Sequence, residues 1–233
     1  MRHRNVALWL TAFGIDWALI VASFYSMTLS WWCVVPAAFV IGSRQQAFGV
    51  LGHEGSHRTI CKSKWLNDAL GVACFAPIML SFEKYRAFHL SHHTHLGTEM
   101  DPEVQLRKVM SGYTYPNLRV FGDLLGFAVY DAGYFSRYLG PEWFVLAFHG
   151  VAFAALTLMG AWWVYPTWLL CLVSTHWFFF RIRAWGEHRG AETLTVKWPW
   201  IVRELITPHN IWIHWEHHND PMIPFYRLRQ RAP

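Results

Sequence analysis

An all-α, integral-membrane architecture is what this sequence predicts: four transmembrane helices, interfacial helices, and a histidine-rich cap on the cytosolic side. Three observations carry it. Hydrophobic residues make up 54% of the 233 and charged residues only 15%, where soluble domains carry about 25% charged. Four long apolar runs punctuate the chain. The histidines recur after those runs at intervals of three and four, the spacing that puts side chains on one face of a helix.

The first run, residues 6–29, follows Arg2 and Arg4. It is longer than a signal-peptide core and lacks a cleavage site, so it reads as a retained span, at ~1.5 Å per residue long enough for a ~30 Å hydrocarbon core. Asp16 near its middle must face inward and find a partner or a proton. The second span, residues 31–51, continues as one helix to the first histidines and projects them beyond the membrane. Arg44 within it has to snorkel or face inward. Residues 65–82 hold a short apolar stretch broken by Pro77, which suits a re-entrant or interfacial segment. Residues 120–139 are apolar but interrupted by Asp123, Asp131 and Arg137, the pattern of a helix lying in the interface. Residues 143–159 and 162–180 form the third and fourth spans.

The turns at 26–30 and 160–166 contain no Lys or Arg, whereas the other connections do. The positive-inside rule therefore places both termini in the cytosol, with every histidine cluster on that same face. A bacterial inner membrane is the expected location. The net charge of +5 is scattered around apolar segments, which argues against nucleic acid as a partner. Cys33, Cys61, Cys74 and Cys171 show no paired spacing, so neither a disulfide framework nor a thiolate site is indicated. No polar linker divides residues 1–233, which read as one domain.

The clusters are His53-Glu-Gly-Ser-His57, His89-Leu-Ser-His92-His93 and His214-Trp-Glu-His217-His218. With 14 His in the chain, about 0.05 copies of a given three-His pattern are expected by chance, yet His-x-x-His-His occurs twice. Eight imidazoles on one membrane face make a metal site, and eight exceed what one ion uses, so two metals are implied. Neutral imidazole suits iron, zinc, copper and nickel. His188, after the last span at the same interface, is a ninth candidate ligand. His95 and His209 suit supporting or solvated roles, His149 and His176 structural hydrogen bonds within spans, and His3 a terminal position. Glu54, Glu83, Asp101, Glu187, Glu216 and Asp220 are close enough in sequence to accept the second N–H of a ligand ring.

His53-Glu54-Gly-Ser-His57 also reads as H-E-x-x-H, the motif of zinc hydrolases. A zinc intramembrane hydrolase, or a non-catalytic metal transporter using His149 and His176 as a path, are thus rival readings. Glu54-x-x-His57 fits half of a carboxylate di-iron bundle, but no second such motif is present.

Three boxes of the form His-x₃-His, His-x₂-His-His and His-x₂-His-His, in that order, resemble the integral-membrane fatty acid desaturase and hydroxylase superfamily. The flanks His92-His-Thr-His-Leu-Gly97-Thr-Glu-Met-Asp101-Pro102 and His217-His-Asn-Asp-Pro221-Met-Ile-Pro224-Phe-Tyr226 extend the resemblance across most of 49–228. It implies two non-haem irons held by His53, His57, His89, His92, His93, His188, His214, His217 and His218, with no catalytic residue beyond these ligands. It further implies O₂ as co-substrate, a lipid-like acyl chain that is desaturated or hydroxylated, and an external donor of ferredoxin, rubredoxin or cytochrome b5 type. A carotenoid ketolase or hydroxylase of the same superfamily is the alternative within it. Animal acyl-CoA desaturases carry an asparagine four residues before the histidine matching His188; Ala184 stands there in this chain.

Overall fold

The computed structural model describes residues 4–103, 140–189 and 192–230. The interfacial helix expected at 120–139 lies outside them. The described chain is predominantly helical, and its one sheet is a two-residue antiparallel pair.

Helix α1, Val6–Leu29, starts where the Asn5 side chain accepts the N–H groups of Ala7 and Leu8, satisfying donors with no partner inside the helix. A single 3-10 turn, Trp31–Cys33, reverses the chain into α2, Val34–Ser56. That helix is buried along its second half from Ile41 onward, apart from Gly49. The polar group in its middle is fully engaged. Arg44 Nη1 donates to Asp16 Oδ1 at 2.9 Å, His209 Nε2 sits 2.7 Å from Asp16 Oδ2, and Arg44 Nη2 donates to Ser43 Oγ and to the Glu204 carbonyl at 2.8 and 2.7 Å. Asp16 and Arg44 thus both face inward and satisfy each other.

Helix α3, Lys64–Phe75, is capped by Ser63, passes through a 3-10 turn, Ala76–Ile78, and meets α4, Phe82–His95, capped by Ser81. The two helical segments are bent by 102°, with the break falling just after the interruption at Pro77. The bend depends on close packing: a Cβ at Gly71 would meet the Phe82 ring at 2.3 Å.

Helix α5, Trp143–Leu158, is followed by one helical run from Val164 to Glu187 with no break: α6, Val164–Cys171, a π turn, Leu172–His176, and α7, Trp177–Glu187. The π turn faces α2 where a Cβ on Gly42 would collide with Thr175 and the His176 backbone, and Thr175 Oγ1 donates to the Ala38 carbonyl at 2.9 Å. His149 Nε2 pairs with the Ala76 carbonyl at 2.9 Å, with Tyr165 Oη near its other nitrogen at 3.3 Å, the structural role expected of it. His188–Arg189 and Glu192–Thr193 (β1 and β2) lead to three short helices, α8 at Trp200–Ile206, α9 at His214–Asn219 and α10 at Phe225–Leu228.

Trp9, Ile20, Ile41, Phe48, Leu51, Phe75 and Trp168 form the core between these helices. The indoles of this core are satisfied, Trp9 by the Leu51 carbonyl and Trp168 by that of Pro77. Large apolar side chains also point outward, among them Ile15, Val21 and Leu29 on α1 and Leu146, Val151 and Leu158 on α5. Among the described residues Val6–Leu29 alone is long and apolar enough to cross a membrane as a single helix; Lys64–Ile78 with Phe82–His95 qualifies only as a bent pair, and Trp143–Leu158 is apolar but shorter.

Asp16→Leu leaves the Arg44 guanidinium buried without its carboxylate, a change worth about 3–5 kcal/mol. A clear drop in thermal midpoint in detergent is the expected outcome, with partial recovery in the Asp16→Leu/Arg44→Leu double variant. Equal midpoints for wild type and the single variant would show that the pair does not hold the helices together.

Candidate metal centre

Each histidine cluster sits at a helix end, where the backbone turns and side chains from several elements can meet. His53 lies in the last turn of α2 and His57 just beyond it; His89, His92 and His93 occupy the last two turns of α4; His188 ends α7; His214, His217 and His218 line α9. All nine come together, in two groups.

In the first, one nitrogen from each of His53, His57, His89, His93 and His217 lies within 4.8 Å of all the others. His89 Nε2 is 2.8 Å from His57 Nε2 and 3.0 Å from His93 Nε2, and His93 Nε2 is 3.3 Å from His217 Nε2. The second group joins His92, His188 and His218, and His214 Nε2 closes it at 2.9 Å from His188 Nε2 and 3.0 Å from His218 Nε2. The groups adjoin, since the His93 and His218 rings stack with centroids 4.3 Å apart.

A neutral imidazole carries one N–H and one lone pair, so the single proton His89 Nε2 can hold cannot satisfy two facing nitrogens. Both ring nitrogens of His53 are buried without a hydrogen-bond partner, so the ring's one lone pair is left unsatisfied, at a cost in free energy, unless a cation takes it. Converging neutral nitrogen donors fit a divalent transition metal. The electrostatics agree. Burial first, and neighbouring imidazoles second, hold His53, His89, His214, His217 and His218 well below their ordinary range. Burial together with His93 lowers His57 to about 3, and burial with His92 lowers His93 to about 4.

Of the six candidate acceptors, Asp101 does orient a ring: its Oδ1 is 3.0 Å from His92 Nδ1, and it also accepts the amides of Gly97 and Glu103 at 2.9 and 2.8 Å. Glu187 lies 3.6 Å from His214 Nδ1 but is bonded to Arg183 Nε through both oxygens at 2.8 and 2.9 Å; burial raises its pKa to about 7 against the pull of Arg183. Glu216 accepts from the Thr195 hydroxyl. Glu83 and Asp220 are exposed. Glu54, raised by burial to about 7, accepts from Thr59 Oγ1 at 2.7 Å and from the Phe225 backbone. The glutamate of a zinc hydrolase must reach the metal-bound water. Glu54 is turned away, and five imidazoles surround the position where that motif would supply two.

His209 serves Asp16 and belongs to neither imidazole group, and His176 lines a cavity. This cavity, of about 410 Å³, runs between Ile78, Leu80, Phe88, Val173, Trp177 and Phe180 and ends at His89, His92, His188 and His214, with Glu103, Arg183 and Glu187 beside them. Glu103, whose Oε2 is 3.7 Å from His92 Nε2, escaped the sequence reading. The available signal was its place two residues beyond Asp101. Tyr85, which stacks on His89 at 5.5 Å, was missed as well.

An all-helical frame with histidine donors gathered at the end of an apolar cavity defines the class. The chain belongs to the fatty acid desaturase family, whose profile matches residues 29–233. It is similar to the sn-1 acyl-lipid omega-3 desaturase (ferredoxin) of Nostoc sp. (strain 36), 25% identical over 224 residues that cover 90% of this chain and 57% of that enzyme. The sn-1 oleoyl-lipid 12-desaturase of Synechocystis sp. (strain ATCC 27184 / PCC 6803 / Kazusa) is 25% identical over 242 residues, 86% of this chain and 68% of the relative. Dihydrorhizobitoxine desaturase of Bradyrhizobium elkanii is 25% identical over 253 residues, 92% and 71% respectively. The chain thus spans little more than half the length of the Nostoc enzyme.

Rings held neutral in the fold have pKa values below the ordinary 6.5, so below that pH the unfolded chain binds more protons than the folded one, and stability falls as pH falls. Above it the contribution is complete. The thermal midpoint is expected to decline steadily between pH 6.5 and about 4, the value to which burial lowers His93. A midpoint flat across that window would contradict neutral, buried rings.

Proposed function

We propose that this chain is a di-iron, O₂-dependent membrane oxidoreductase that removes two hydrogens from adjacent carbons of a lipid-like acyl chain, leaving a double bond. The observation that carries the reading is the meeting of two imidazole groups with the end of an apolar cavity, whose volume is in the range of ligand pockets. The desaturases among its relatives support alkene formation over hydroxylation.

His53, His57, His89, His93 and His217 would hold one iron, and His92, His188, His214 and His218 the other. When bound, the irons supply O₂ activation and the oxidising power to attack an unactivated C–H bond. The chain's own residues do the rest. Ile78, Leu80, Phe88 and Phe180 line an apolar passage for the alkyl chain and keep water from it. Asp101 accepts the Nδ1 proton of His92 and so turns Nε2 toward the centre. Two electrons and two protons from outside, with the two substrate hydrogens, reduce O₂ to two waters, so an external donor is required.

Residues 6–29, 31–51, 143–159 and 162–180 would be the four spans of a single unit in a bacterial inner membrane, with both termini and the metal centre cytoplasmic. The outward-facing apolar side chains of α1 and α5 support this. So does the packing of Phe24 against Trp163, which brings the two uncharged turns to one end of the bundle. For the donor, Arg4, Arg58, Lys62, Lys64 and Arg86 surround a depression that reaches His57, a surface matched to an acidic electron carrier such as a ferredoxin.

Expression with a reductase system and mass spectrometry of the host lipids is expected to show an acyl species lighter by two hydrogens. A product heavier by one oxygen would reassign the reaction to hydroxylation. His217→Ala should lose both iron and turnover; full activity in that variant would refute the ligand assignment. Cysteines placed at Thr28 and Tyr165 should react with impermeant reagents from outside the cell, and protection of either overturns the topology. Lys62→Glu/Lys64→Glu is expected to raise the KM for donor while kcat at saturating donor holds, and an unchanged KM would move the docking face elsewhere.

A further inference from the structure

The two imidazole groups are unequal: one has five rings and the other four. A carboxylate stands beside the smaller group. Glu103 Oε2 is 3.7 Å from His92 Nε2 and 4.0 Å from His188 Nε2, with the side chain 24% exposed. Its placement follows from the local backbone. Asp101 Oδ1 accepts both from the Glu103 amide at 2.8 Å and from His92 Nδ1 at 3.0 Å, so a single buried oxygen fixes the start of the Glu103 side chain and the far side of the His92 ring. The carboxylate and the metal-facing nitrogen are thereby held against each other from the same anchor. Glu103 also lines the apolar cavity, which puts it on the open side of the four-ring group.

We propose that Glu103 is the fifth donor of that group, a carboxylate ligand that completes the set of His92, His188, His214 and His218. The inference rests on the metal-binding reading above. A hard, anionic oxygen among neutral imidazoles would make this donor set electronically distinct from the all-imidazole one. A carboxylate can bind through one or both oxygens. It can therefore adjust on the substrate side while the five-ring group stays fixed.

The alternative is that Glu103 only balances the charge of Arg183, which also borders the cavity. Metal content, chelator resistance and X-ray absorption spectra of the purified wild type, Glu103→Gln, Glu103→Ala and Glu103→His distinguish the two. Glu103→Gln and Glu103→Ala are expected to retain one metal firmly and to release the other to chelator about ten-fold faster or more, with fewer oxygen neighbours in the absorption spectrum. Glu103→His, which restores a donor without a negative charge, should recover retention. Two metals per chain in all variants, with wild-type release rates and spectra, would overturn the assignment while leaving the metal centre intact. A wild-type protein that holds no metal would overturn the reading beneath it, and the assignment with it.

Discussion

Nine imidazoles can be packed into one interior only if they stay uncharged, and much of the architecture follows from that constraint. A protonated ring among its neighbours would meet repulsion and a desolvation penalty together, as the depressed values at His57 and His93 record. Neutral rings at close range leave lone pairs facing one another. Such an assembly has a low cost only around a cation. Placing the clusters at helix ends lets the chain deliver the rings without burying long stretches of unsatisfied backbone: α2, α4, α7 and α9 each contribute from a terminal turn.

The polar centre must then be attached to an apolar frame without drawing water into it. The cross-link of Asp16, Arg44 and His209 does this for the third cluster. It ties α1 and α2 to the loop that leads into α9, because His209 precedes His214 by one tight turn and both His209 and Asn210 take positive φ values of 56° and 59°. A pair of charges buried so deeply contributes little net stability, but removal of one partner is expensive. Its effect is to define which way the loop enters.

The histidines that gather in the two groups were legible in the sequence because helical spacing is a local rule. His89, His92 and His93 share a face wherever α4 is placed, and His188 followed from its position after an apolar run. The interruption at Pro77 was readable locally as well, whereas for Arg44 the sequence left snorkelling and facing inward both open, and the structure turns it inward to Asp16. Less was visible where geometry depends on distant chain. That Asp16 would need a partner was clear, but the choice of Arg44 and His209, the latter 193 residues away, was not. Glu103 escaped because its one local mark, a place two residues beyond Asp101, says nothing of His188, which comes within 4.0 Å of its carboxylate only once α7 is packed. Glu54 is the opposite case, a local motif that suggested a rival reading. Its motif is local, yet the partner that claims its carboxylate is Thr59, in the turn after α2.

The π turn at Leu172–His176 carries a different kind of consequence. One extra residue within a helix shifts the angular phase of everything after it by about 100°. The first part of this long helix therefore answers to the packing of Trp168 and Cys171 in the core, and the second part to the cavity and the centre, through Trp177, Phe180, Arg183 and His188. Both parts keep the same helical period but need different phases, and the wide turn is the point at which the two are reconciled. Adding or removing one residue between Cys171 and Trp177 would therefore turn one of the two faces out of register, as a change in tooth number does to a pair of meshed gears.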